Sequence, residues 1–211
     1  MPLVVFLHGA GETPQTWQDQ VAALPPGAKA AAPWLRGTRP GGSEPFTVRG
    51  AAEDLFPLLN QHGVEQMQLV GSSLGAVVAL DVATREPATV SHLVLAAGIV
   101  HPPAALMRVQ RAIVSLIPRG RLARTGVDKA GFLSALDAAA AIDYRDDLAK
   151  VTARTLVLVG SRDRANHPAA DQLAGGIPGA RLEVVEQAGH SIHAEVPGRF
   201  NEIVFDFLTA D

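Results

Sequence analysis

Short β-branched or leucine-rich runs recur along this 211-residue chain at 3–7, 67–70, 92–96, 155–159 and 181–185, with a weaker one at 29–35. Runs of this length and composition read as buried parallel strands. Between several of them lie longer amphipathic segments. In the segment 48–61, Ala51, Ala52, Leu55, Leu58 and Leu59 fall at helical spacing. Alternating strands and helices predict an α/β fold with an open, mostly parallel sheet flanked by helices. In such sheets ligands collect beyond the carboxyl ends of the strands, so chemistry belongs to the residues just after each apolar run.

Four groups occupy those positions: His8-Gly9-Ala10-Gly11, Ser73, Asp163 and His190. Ser73 sits at the centre of Gly71-Ser72-Ser73-Leu74-Gly75, after one apolar run and before the helix-like stretch 76–83. Glycines two residues to either side let the backbone bend without a Cβ clash, lifting the hydroxyl above the sheet edge. A hydroxyl, a carboxylate and an imidazole at separate strand ends, in that chain order, supply a nucleophile, an orienting acid and a base.

Composition narrows the remaining choices. The chain carries 18 Lys and Arg against 21 Asp and Glu, a net charge of −3, with no long basic block. No nucleic-acid partner is expected. The opening residues lack a basic n-region, and their apolar run is too short for a signal peptide or a membrane span, giving an expectation of a cytoplasmic protein without a membrane partner. There is no cysteine, so disulfides and thiolate metal sites are excluded.

The stretch 100–151 breaks the alternation. Leu106, Val109, Ile113, Leu116 and Ile117 form one helical stripe, and Phe132, Leu133 and Leu136 another. It reads as a helical lid inserted into a core formed by 1–99 and 152–211, shaping an apolar pocket above the strand ends. Arg108, Arg111, Arg119, Arg121 and Arg124 fall within it, with no acidic residue between His101 and Asp128. These arginines fit either a solvated helix face or recognition of an anionic substrate.

The His8 to Gly11 loop with Trp17 after it, Arg36-Gly37, the Ser73 turn, the segment 156–163 and Ala188-Gly189-His190 together resemble the α/β-hydrolase fold superfamily, in its single-domain, lidded esterase-like branch. The resemblance covers nearly the whole chain. The family usually begins with a β-hairpin, and its first two strands have no counterpart here, which would leave the strand near 29–35 at a sheet edge.

The resemblance implies a serine hydrolase of small or medium esters, thioesters or lactones, acting through an acyl-enzyme without metal or organic cofactor. Ser73 would be the nucleophile, His190 the base and Asp163 its orienting acid. The backbone N–H groups of Ala10 and Leu74 would form the oxyanion hole, supported by His8, Gly9, Gly11, Gly71 and Gly75. Met107 and Trp17 are pocket candidates, Trp17 equally a core residue. His193 is a third, with an alternative role in fixing its loop. Carbon–carbon bond hydrolases, lyases, cyclases and non-catalytic ligand-binding proteins share the scaffold. The expected partner is a small-molecule substrate, and the chain is expected as monomer or homodimer.

Overall fold

The structure is a computed structural model that describes residues 2–42, 44–102, 104–123 and 128–210. The chain runs β1 (Leu3–Leu7), α1 (Gln18–Ala22), β2 (Lys29–Ala31), α2 (Val48–Glu53), α3 (Phe56–His62), β3 (Met67–Ser72), α4 (Leu74–Arg85) and β4 (Val90–Ala96). It continues through α5 (Ala104–Leu116), α6 (Arg119–Ala123), α7 (Lys129–Ala140), β5 (Arg154–Gly160), α8 (His167–Gly176), β6 (Arg181–Val185), α9 (Ile192–Glu195) and α10 (Pro197–Thr209). The strands form one six-stranded sheet in the order β2-β1-β3-β4-β5-β6. Every pairing is parallel.

Strand alternation sends side chains to two cores. Leu3, Val5, Leu7, Leu69, Leu93, Leu95 and Val157 pack against α2, α4 and α8 on one face. Val4, Phe6, Val70, Val94, Leu156 and Leu158 meet Trp17 and the α10 residues Phe200, Val204 and Phe207 on the other. With both faces covered, central strands are predominantly apolar, which is why their sequences show no regular polar alternation.

Two elements are shorter than the sequence predicts. The edge strand β2 spans only Lys29–Ala31 and ends before Pro33. The helical segment 48–61 splits into α2 and α3, with Pro57 near the start of α3. Proline lacks the N–H needed to continue the first helix and fits the first turn of the second.

Between β4 and β5 lie α5, α6 and α7. The α7 helix rests directly on core loops: a Cβ on Gly131 would lie 2.5 Å from the Gly37 carbonyl oxygen, and one on Gly11 would lie 2.8 Å from the Phe132 ring. Ser134 Oγ also accepts the Phe46 N–H at 2.9 Å. Helix α5 packs on α7. Its buried face carries Met107 and Val114, whereas Val109, Ile113 and Leu116 are exposed. The expected apolar stripe is therefore not the core-facing side of α5: Val109 and Leu116 lie opposite Met107 and Val114, and Ile113 lies between the two sides. Arg124, and the side chains of Leu106 and Arg119, lie outside the described residues. Tyr144 returns the segment to the core, donating its hydroxyl hydrogen to Asp81 Oδ1 at 2.9 Å. No helix among the described residues is long and apolar enough to cross a membrane.

Candidate active site

Strand order decides which loops meet. After β1 the chain builds β2 on one side, then crosses back to lay β3 on the other, so the loops leaving β1 and β3 part from a common crevice. Gly75 makes that junction close: a Cβ there would stand 1.9 Å from the Leu7 carbonyl oxygen. At Gly71 a Cβ would stand 2.4 Å from the Gly75 carbonyl oxygen. The residue between these glycines, Ser73, has φ 51° and ψ −109°. This left-handed conformation is costly for a non-glycine residue, and here the packed turn enforces it. Among the described residues the other non-glycine positions with positive φ, Ala97 and Gln187, also follow strands, β4 and β6.

The loop after β6 is tied to the loop after β5. A Cβ on Gly160 would lie 2.2 Å from the Gly189 carbonyl oxygen. Arg162 N–H donates to the Ala188 carbonyl at 2.9 Å, and Gln187 N–H to Ser161 Oγ at 3.1 Å. These contacts place His190 Nδ1 at 2.8 Å from Asp163 Oδ2. The carboxylate accepts, so Nδ1 carries the hydrogen, and in the neutral ring the lone pair is left on Nε2. Asn166 Nδ2 donates to the same Asp163 oxygen at 2.7 Å. Its 3.0 Å approach to His190 Nδ1 is that of two donors converging on one acceptor. The Asp163 side chain is only 10% exposed and that of His190 48%. This is a held acid beside a solvent-reachable imidazole.

Ser73, Asp163 and His190 line one cavity of about 470 Å³, together with Ala10, Leu74 and Met107. A smaller lobe reaches Ile113 and Phe132 and shares Ala10, Ser73 and His190. Among the described residues the Ser73 hydroxyl has no hydrogen-bond partner, and Ser73 lines the same cavity as His190. Leu74 is the first residue of α4, where helix N–H groups lack intrahelical acceptors. In the β1 loop the Gly9 N–H is taken by Glu12 Oε2 at 2.8 Å and the Glu12 N–H by the Gly9 carbonyl at 3.2 Å. The intervening Ala10 faces the cavity.

The other candidates fall elsewhere. His8 is buried, donating Nδ1–H to the Gly9 carbonyl at 2.9 Å and accepting the Leu35 N–H on Nε2. Burial pushes its pKa down, against opposing contributions from the Gly9 carbonyl and Glu12. It is a neutral strut for the β1 loop. Trp17 and His193 do not line the cavity. Both are fully buried, with stacked rings 4.3 Å apart, and His193 Nε2 lies 2.8 Å from Thr16 Oγ1. Trp17 is a core residue, and His193 fixes the loop that presents His190. Among the described arginines of α5 and α6, Arg108 and Arg121 are exposed, Arg111 pairs with Asp137 at 2.6 Å, and none of the three lines the cavity.

The sequence reading missed Asn166, Glu12 and Glu195. Glu195 accepts the N–H groups of Gly189 at 2.8 Å and Ser191 at 3.2 Å, cradling the turn around His190. The only available signal was that Glu195 lies within one helical turn of the loop it caps.

Residues 4–203 match the model of the alpha/beta hydrolase family. The chain belongs to this family. It is 30% identical to the pimeloyl-[acyl-carrier protein] methyl ester esterase of Aromatoleum aromaticum, over 90% of this chain and 91% of that protein. It is 26% identical to RutD of Pseudomonas savastanoi pv. phaseolicola, over 99% and 94%. A hydrolase structure from Pseudomonas aeruginosa PA01 superposes with a TM-score of 0.85 at 25% identity, covering 99% of this chain and 90% of that one. The protein is an alpha/beta hydrolase enzyme.

Proposed function

We propose that this hydrolase cleaves a neutral, small or medium carboxylic ester, thioester or lactone through an acyl-enzyme on Ser73. The observation that carries this reading is the strained Ser73 on a cavity shared with an imidazole whose Nδ1 is held by Asp163. Ser73 Oγ attacks the carbonyl carbon as its proton passes to His190 Nε2. The carbonyl oxygen, now an oxyanion, accepts hydrogen bonds from the Ala10 and Leu74 N–H groups. His190 then protonates the departing oxygen or sulfur. Water, activated by the same imidazole, adds to the acyl carbon, and collapse returns the proton to Ser73.

Substrate character follows from the lining. A cavity of about 470 Å³ suits a compact acyl group, with Ile99, Met107, Leu136 and Ala139 as apolar walls. Among the described residues no lysine or arginine lines it, which favours a neutral substrate over one bearing a carboxylate or phosphate near the scissile bond. The test is a panel of short neutral esters, thioesters and lactones beside matched carboxylate-bearing analogues. Selective hydrolysis of neutral members, with an acylated Ser73 trapped by acid quench, supports the reading. Turnover without any acylated serine contradicts it in favour of proton-transfer chemistry.

A further inference from the structure

Glu12 joins the two loops that this mechanism brings together. Its Oε2 accepts the Gly9 N–H at 2.8 Å and its Oε1 accepts the Ser191 hydroxyl hydrogen at 3.3 Å. Oε2 also lies 3.9 Å from Nε2 of the buried His193. Gly9 is thus held on both sides by one residue, because the Glu12 N–H donates to its carbonyl at 3.2 Å. His8 Nδ1 donates to that same carbonyl. The Gly9 carbonyl and the Ala10 N–H belong to one peptide plane and point in opposite directions. Two donors fixing the carbonyl therefore also fix the direction of the N–H on Ala10, a residue that lines the cavity. At the other end Ser191 immediately follows His190.

We infer that Glu12 is a positioning residue, a clasp that holds the Ala10 oxyanion donor and the His190 base at a set separation. The inference rests on the function proposed above. A clasp acts on the transition state, where both groups must reach one substrate carbon, more than on substrate binding.

The test compares Glu12→Ala, Glu12→Gln and Ser191→Ala in the full chain, by steady-state kinetics on the best ester and by amide hydrogen exchange. Glu12→Ala is expected to lower kcat about 10- to 100-fold with KM nearly unchanged. Glu12→Gln recovers most of the loss, since its amide oxygen can accept the Gly9 N–H and its NH2 can donate to Ser191 Oγ. Exchange rises at both 8–12 and 186–195 in Glu12→Ala, and at 186–195 alone in Ser191→Ala. Unchanged kcat in Glu12→Ala of an active enzyme, or faster exchange confined to 8–12, overturns the clasp. Should Glu12→Ala fail to fold, Glu12→Gln and Ser191→Ala still decide it: slower exchange or none of the expected rise at 186–195 in Ser191→Ala overturns it. Exchange as expected in a native protein inactive on esters would leave the clasp standing and sink the proposed reaction instead.

Discussion

A methyl group on Gly75 would meet the Leu7 carbonyl oxygen at 1.9 Å, so the first turn of α4 and the end of β1 touch backbone to backbone. Neither partner is a flexible side chain that can move aside. Gly75→Ala is expected to destabilise the fold by at least about 3 kcal/mol. Urea unfolding of the variant beside Gly120→Ala, where a Cβ meets open space, checks this. Equal midpoints for the two variants would refute the close contact.

Asp163 receives His190 Nδ1 and Asn166 Nδ2 on one oxygen, which separates two roles. Asp163→Asn offers the imidazole a wrong partner and should lower kcat by about four orders of magnitude. Asn166→Ala removes only a donor to the charged acceptor, worth roughly 10-fold in kcat. Single-turnover acylation rates resolve the two variants. Equal losses would contradict the assignment of Asp163 as the direct partner.

Tyr144 is the chain's only tyrosine, and burial together with the nearby Asp81 carboxylate raises its pKa well above the usual phenol range. Above about pH 10 the unfolded chain loses the phenolic proton while the folded one retains it, so stability falls as the pH rises through that range. Tyrosinate absorbance should therefore appear together with loss of far-ultraviolet ellipticity. In Tyr144→Phe this component of alkaline unfolding is absent, and stability near neutrality drops by about 1–3 kcal/mol, because Asp81 loses a hydrogen-bond donor. Tyrosinate forming in the folded protein would refute the buried contact.

His8 and His193 are buried and neutral, each with a pKa lowered chiefly by desolvation. Glu12 opposes the shift in both, and the proximity of the His190 ring adds to it in His193. Half-buried His92, lowered by burial and by Arg154, acts in the same sense. As the pH falls through about 6.5 the unfolded chain takes up protons that the folded one declines. Stability is expected to fall on acidification, by at most about 1.4 kcal/mol per pH unit for each histidine. Denaturation free energies at about pH 7.5 and 5.5 measure this slope, and His8→Gln should reduce it.

What could be read from the sequence was what backbone pattern determines. Apolar runs fixed the central strands, and strand ends located Ser73, Asp163 and His190, because in a parallel sheet chemistry gathers at one edge. Side-chain direction was not legible at that level. Val109, Ile113 and Leu116 have helical spacing, yet Val109 and Leu116 face outward while Ile113 borders the cavity, since periodicity identifies a stripe without saying which side of α5 meets the core. Trp17 sits in the core on the α10 face, stacked on His193 and beside Phe200, a placement that its position after β1 does not reveal. Glu12 and Asn166 were invisible and Glu195 only faintly marked for a related reason: each makes hydrogen bonds to backbone or to a neighbouring side chain, which apolar patterning does not mark.

The activation of Ser73 is tested most directly by intact-protein mass spectrometry after reaction with a fluorophosphonate, comparing the native chain with Ser73→Ala and His190→Ala. A single adduct in the native protein, localised to Ser73 and lost in both variants, is the result predicted. A folded native protein that takes no label, or a Ser73→Ala variant that still does, would contradict it.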